Sequence, residues 1–277
     1  LFCVNPAAGL KKFLDKGNSA VFFSATLLPI HYYKKLLSTG TEDYAIYAKS
    51  PFDPGKRLIL TGNDVSTKYT RRGEEMYKRY ARYLLAAAEA KTGNYIAFFP
   101  SYSFMEKVYD AFVLLLSEEK DVEKKREIEY VMQSQYMSEE SREIFLENFE
   151  ETRDKSFIGF CVMGGIFSEG IDLTADRLIG AVIAGTGLPQ VCKERELLKN
   201  YFDSQGLPGF DYAYLYPGMN KVLQSAGRVI RTEDDRGVVL LLDERFRETR
   251  VREIFPREWE NISYCTIKNV AEKIRLF

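Results

Sequence analysis

The sequence predicts an α/β fold: a parallel sheet with helices on both faces. Three observations predict it. Short apolar runs at 58–60, 95–99, 156–163, 179–184 and 238–242 alternate with amphipathic helical stretches. The last run, Val238-Val-Leu-Leu-Leu242, is continuously apolar, the pattern of a strand covered on both faces. Several runs leave through a short turn rich in Gly, Pro or Ser and pass directly into a helix, as in a βα unit.

From the N-terminus, the apolar run 19–23 reads as a strand and 24–29 (SATLLP) as the turn leaving it. Ser24 and Thr26 there can cap the next helix or relay hydrogen bonds between sites. A helix is expected near 30–37, with His31, the single histidine, in a surface or capping role. Ser50-Pro-Phe52 with Pro54-Gly55 is the best candidate for a hinge, which divides the chain into units 1–50 and 51–277. The stretch 68–82 is locally basic and runs into a helix to about Ala90, with Met76, Tyr80, Tyr83, Leu84 and Ala87 as its buried stripe. Its basic side reads as a solvated face; phosphate contact is the alternative.

Strand 95–99 leaves through Pro100-Ser101-Tyr102 into a helix with Phe104, Val108, Phe112 and Leu115 on one face. The free amides at that helix start are a phosphate seat, so Ser101 is either a contact to a nucleic-acid backbone or a simple cap. The charge run 117–129 reads as solvated surface. A helix over 138–149 has Glu139 and Glu140 in its first turn. Beyond strand 156–163, the loop 164–178 (GGIFSEGIDLTADRL) holds three glycines and the acids Glu169 and Asp172 within nine positions. It is expected at the C-terminal edge of the sheet, where open α/β sheets bind ligands. Glu169 and Asp172 can pair with arginines or hold a ribose hydroxyl, and a structural turn with surface acids is the alternative. Strand 179–184, a turn at 185–189 and a charged helix over 191–204 complete another unit.

The stretch 211–246 is what the other elements present. Its centre, Gln224-Ser-Ala-Gly-Arg-Val-Ile-Arg231, reads as helix. At about 100° per residue, Gln224, Arg228 and Arg231 share one narrow stripe, and Val222, Leu223, Ala226, Val229 and Ile230 lie opposite. Gly227 beside the polar stripe lets a backbone or ligand come close. Two guanidiniums at fixed spacing suit a triphosphate, since each is always charged, forked and able to stabilise oxygens that gain charge in phosphoryl transfer. A solvated helix face is the alternative.

The 277 residues are 45% hydrophobic and 29% charged, as expected of one large globular domain or one and a half. Net charge is −1, so any nucleic-acid binding must rest on local patches. The longest apolar run falls well short of a membrane span. The four cysteines, Cys3, Cys161, Cys192 and Cys265, stand far apart without a CxxC pair, which argues against zinc and fits a reducing cytosol. No GxxxxGK[ST] phosphate loop occurs. The start at Leu1 fits a piece of a longer chain.

The ordered set SATL, FFPSY, GGIFSEGIDL and QSAGRVIR, from Ser24 to about Phe255, resembles motifs III, IV, V and VI of superfamily 2 helicases of the XPD/DinG type. The resemblance implies a RecA-like, P-loop NTPase-type sheet without its own P-loop. Residues 1–50 would be the end of the first motor domain and 51–277 the second. It further implies an ATP-dependent DNA helicase that steps 5′ to 3′ along single-stranded DNA. The missing first domain would hold ATP and Mg²⁺. Arg228 and Arg231 would be arginine fingers oriented by Gln224. Glu169, Gly170, Asp172, Gly227, Ser24 and Thr26 would bind or couple to ATP, and Ser101, Tyr102 and Ser168 would touch DNA. Full-length relatives can carry an iron–sulfur cluster, whose spacing these cysteines do not match. The implied partners are DNA and the N-terminal motor domain, with no membrane, in the cytoplasm or nucleoid. A fragment alone is expected to be inactive. A non-catalytic nucleic-acid-binding module and an RNA-acting motor stay open as alternatives.

Overall fold

The apolar runs become strands of one sheet: β1 (Arg57–Gly62), β2 (Asn94–Phe99), β3 (Ile128–Met132), β4 (Ser156–Val162), β5 (Gly180–Ala184), β6 (Gly237–Leu242) and β7 (Ile262–Cys265). The structure is a computed structural model that describes residues 2–40, 42–118, 128–149, 153–167, 177–259 and 261–277. The strand order is β3-β4-β2-β5-β6-β1-β7, with every pair parallel. Parallel pairing requires a crossover between consecutive strands. Among the described residues, helices lie on every such link except β4 to β5: α1 (Ala7–Leu14), α2 (Ile30–Leu37), α3 (Glu74–Ala90), α4 (Tyr102–Glu118), α5 (Glu139–Glu147), α6 (Lys193–Ser204), α7 (Tyr216–Ala226), α8 (Thr249–Arg252) and α9 (Val270–Arg275), of which the first two precede the sheet and the last follows it.

Strand periodicity divides the core in two. On β6, Val239 and Leu241 pack with Val222, Leu223 and Ala226 of α7. Val238, Leu240 and Leu242 face the other way, onto Tyr80, Tyr83 and Leu84 of α3 and Phe104 and Phe112 of α4. All six β6 residues are buried, the two-sided burial that a continuous apolar run predicts. The expected stripe of α3 is buried at all five positions. α2 also falls where the sequence places it.

Two expectations are revised and one strand is new. Residues 19–23 form no strand: they have no sheet neighbour among the described residues, and Phe23 is 90% exposed. Apolar composition makes a strand only where a neighbouring strand takes its amides and carbonyls. Of the charge run, residues 119–127 lie outside the described residues; Ser117, Glu118 and Glu129 are exposed, while Ile128 is buried and opens β3, the end strand of the sheet. β7 was not foreseen; it is four residues long and its Tyr264 is exposed.

α2 lies against the turn that leads into α7, a π-helical turn at Asp211–Leu215. Tyr32 meets Tyr212 and Tyr216 with ring centroids 5.4 and 5.3 Å apart. His31 is exposed, in keeping with the surface reading rather than the capping one, and its Nε2 lies 3.0 Å from the Tyr216 hydroxyl. Asn220 of α7 donates to the Tyr33 hydroxyl at 2.7 Å. Burial in this cluster pushes the Tyr32 and Tyr216 hydroxyls up to about 12.

Candidate nucleotide and nucleic-acid interface

Because all strands are parallel, the turns that leave them gather along one edge of the sheet. Thr67, Ser101, Gln133, Gly164, Gly187 and Asp243 stand just beyond β1, β2, β3, β4, β5 and β6. α7 is held to this edge by close backbone approach. Gly187, at φ +65°, and Gly218 of α7 lie so near each other that a Cβ on Gly187 would collide with the Gly218 carbonyl. A Cβ on Gly218 would stand 2.7 Å from the Thr186 carbonyl oxygen. Only glycine fits at such a crossing. On the next turn of α7, the Lys221 stem lies 3.0 Å from where a Cβ of Gly164 would be.

α7 ends earlier than its periodicity predicts. Its last residue is Ala226, and Gly227 is the C-cap. The Arg228 and Val229 amides then reach back only three residues, to Ser225 and Ala226 at 3.3 and 3.4 Å. Beyond them the Arg231 and Thr232 amides both donate to the buried Asp235 carboxylate, at 2.6 and 2.7 Å. A glycine weakens helix continuation by about 1 kcal/mol, and Asp235 offers those amides an alternative acceptor. Gln224 is therefore the helical member of the expected stripe, while Arg228 and Arg231 ride on the turn that follows. The apolar half of the reading stands: Val222, Leu223, Ala226, Val229 and Ile230 are all buried. Gln224, Arg228 and Arg231 are half-buried and Gly227 is exposed.

The remaining predicted residues divide as follows. Ser168, Glu169, Gly170 and Asp172 lie outside the described residues, which leave out 168–176 of their loop. The Ser24 hydroxyl accepts the Thr26 amide at 3.3 Å inside one turn; neither caps α2, whose N-cap is Pro29. The Ser101 hydroxyl accepts the Phe104 amide at 3.3 Å, the capping arrangement. Tyr102 points toward β3 and β4: its hydroxyl accepts from Gln133 Nε2 at 3.0 Å, and Gln133 Oε1 takes the Val162 amide at 2.9 Å.

One cluster at this edge was missed. Asp243 is fully buried, and Arg245 forks onto its two oxygens at 2.8 and 2.9 Å. Across the β6–β1 junction, the Thr67 amide and hydroxyl donate to the same carboxylate at 2.8 and 2.9 Å. Burial alone would raise the Asp243 carboxyl; Arg245 and Thr67 outweigh it and hold it below the ordinary carboxylate range. Arg245 is raised correspondingly, with its pairing to Asp243 outweighing its own burial. Glu244 beside it gathers Ser66 at 3.1 Å, Lys68 at 3.0 Å and Arg71 at 3.7 Å. So part of the basic stretch is tied to the edge rather than simply solvated. An acid directly after a continuous apolar strand, with an arginine two residues on, was the signal available.

Residues 84–262 match the model of a family described as the helicase C-terminal domain. The chain belongs to that family. This helicase C-terminal domain is 28% identical over 246 residues to ATP-dependent DNA helicase XPD of Sulfolobus acidocaldarius, covering 84% of the chain and 40% of that protein. It is equally identical over 246 residues to a probable ATP-dependent helicase of Methanocaldococcus jannaschii, covering 84% of the chain and 35% of the relative. A solved XPD structure in its apo form superposes with TM-score 0.69 at 23% identity, over 93% of this chain and 50% of that one, a likeness of fold. The expected XPD-type relationship and RecA-like α/β sheet both agree with these matches. The chain spans about a third to two fifths of the length of the curated relatives it matches. Both of these relatives are described as ATP-dependent. Among the described residues no group of three or more His, Cys, Asp or Glu side chains could hold a metal ion, and the cysteines do not converge: Cys161 and Cys265 are buried, Cys3 and Cys192 exposed. No described helix is long and apolar enough to cross a membrane.

Proposed function

We propose that this domain is the second motor unit, residues 51–277, of an ATP-dependent DNA helicase of XPD type, with residues 1–50 closing the first. The observation that carries the reading is the seating of α7 at the ligand-binding edge, with Gln224 on its last turn and Arg228 and Arg231 just beyond. In this reading a first unit of the same protein holds the phosphates and Mg²⁺ of ATP. Arg228 and Arg231 reach across to the γ-phosphate and stabilise charge that develops on its oxygens. Their turn suits that role. Val229 and Ile230 between them are buried, and Asp235 holds the backbone that follows, so the guanidiniums are carried on a fixed support. Gln224 steadies the pair, while Glu169, Gly170 and Asp172 couple the site to DNA, with Ser24 and Thr26 on the first-unit side. Ser101, Tyr102 and Ser168 contact the strand. Closing and reopening of the cleft with each ATP steps the domains along single-stranded DNA, 5′ to 3′, held largely by its backbone. The test is ATP hydrolysis by the full-length protein with and without single-stranded DNA, beside this chain alone. The reading expects DNA-stimulated turnover in the former and none in the latter; a full-length protein that binds single-stranded DNA but hydrolyses no ATP with or without it would make this a non-catalytic binding module.

A further inference from the structure

Where β3 and β4 end, the same edge opens into a cleft of about 460 Å³, within the roughly 300–1,000 Å³ of small-molecule sites. Its floor is fixed. Gln133 is buried with both ends of its amide engaged, one by Val162 and one by Tyr102. Tyr102 accepts from Gln133, so its own proton is left to donate, and among the described residues it has no acceptor. Gly165 forms the adjoining wall, where a Cβ would stand 3.0 Å from the Val162 carbonyl oxygen and 3.5 Å, an ordinary contact, from the Gln133 amide.

The rim is formed by Tyr136, on the loop between β3 and α5. It is 87% exposed, and its ring meets no other aromatic ring among the described residues. The neighbouring Gln135 is exposed and adds an amide. The site is not built for phosphate. The first turn of α5, which opens beside the rim, already carries the exposed carboxylates of Glu139 and Glu140. What the cleft offers is one free aromatic face, amide groups and a phenol donor, which together match a flat heterocycle with polar edges.

We propose that this cleft is a base-stacking subsite for single-stranded DNA, with one nucleobase against Tyr136 and its edge toward Tyr102 and Gln135. The sugar–phosphate stays on the solvent side, away from Glu139 and Glu140. The assignment rests on the reading of the chain as a single-strand motor, and adds to it a contact to a base in place of one to the backbone. Stacking of this kind is tolerant of sequence, because every base has a π face.

The test is equilibrium binding, by fluorescence anisotropy at one fixed salt concentration, of the full-length protein to oligothymidylate and to an abasic deoxyribose-phosphate strand of equal length. Tyr136→Ala is expected to weaken oligothymidylate binding by about 5- to 100-fold, and Tyr136→Trp to restore it. The abasic strand is expected to bind more weakly from the outset and to be indifferent to Tyr136→Ala. Unchanged oligothymidylate binding by Tyr136→Ala, or an equal loss on both strands, overturns the subsite while leaving the motor reading intact. Failure of the unsubstituted protein to bind either strand overturns both.

Discussion

The two sides of the C-terminal edge of the sheet are built in opposite ways. At the β1–β6 end, Asp243 is fully buried and saturated by Arg245 and Thr67. At the β3–β4 end, Tyr136 stands almost wholly in solvent above an open cleft. The first arrangement has spent its polar groups on itself. Drawing a ligand into it would strip partners from a buried charge, at several kcal/mol. The second has a ring and a phenol proton to offer, and little of its own structure to undo. α7 stands between these ends, apolar on its buried side, with its polar residues leading out onto a turn. One edge thus combines a clamp that fixes strand geometry with surfaces left for ligands.

The contrast is broken most severely at Asp243. Replacing it with Asn leaves the Arg245 guanidinium without its counter-charge, and stability to urea is expected to fall by about 3–5 kcal/mol. A loss below 1 kcal/mol would mean that the pair is cosmetic. Acid acts on the same group. Its folded-state value lies below the ordinary carboxylate one, so its stabilisation is present above the unfolded value, near pH 4, and is lost as pH falls through the lower folded value. Denaturant midpoints measured down the acid range should therefore drop in the unsubstituted protein. Asp243→Asn should flatten part of that drop; an unchanged slope would contradict the assignment.

Smaller effects sharpen the picture at the open end. Ser101→Ala should cost about 0.5–2 kcal/mol of stability as a lost helix cap. Its DNA affinity decides between the two roles: unchanged binding leaves Ser101 a cap, and weakened binding makes it a phosphate contact as well. Tyr136→Ala is expected to alter stability by no more than about 0.5 kcal/mol, whatever it does to binding. A larger thermal shift would place that ring in the fold rather than at a ligand surface.

How legible each part was follows from how local its cause is. The β2, β4, β5 and β6 strands could be read directly because a buried parallel strand must be apolar on both faces, and that signal sits inside five to seven residues. The buried stripe of α3 was readable for the same reason. The run at 19–23 carries a similar signal and forms no strand, because pairing depends on a neighbour that composition does not show. β7 is short and half-exposed, so it left almost no periodic trace. The end of α7 was misplaced by the very regularity of Gln224, Arg228 and Arg231; the competing acceptor, Asp235, lies outside that repeat. The Asp243–Arg245–Thr67 clamp joins residues 176 apart in sequence, a contact that no local pattern encodes. Of the candidate site, the residue types around α7 were legible and their geometry was not. The acids of the loop after β4, Glu169 and Asp172, fall outside the described residues.

The central claim is that the turn after α7 acts on ATP held by another motor unit. Its most direct test is single-strand-stimulated ATP hydrolysis by the full-length protein carrying Arg228→Ala, with folding checked by thermal melting. The account expects turnover to fall by roughly 10³–10⁵ with the melting temperature and single-strand affinity nearly unchanged. Turnover at the unsubstituted level in a folded, DNA-binding protein would contradict it.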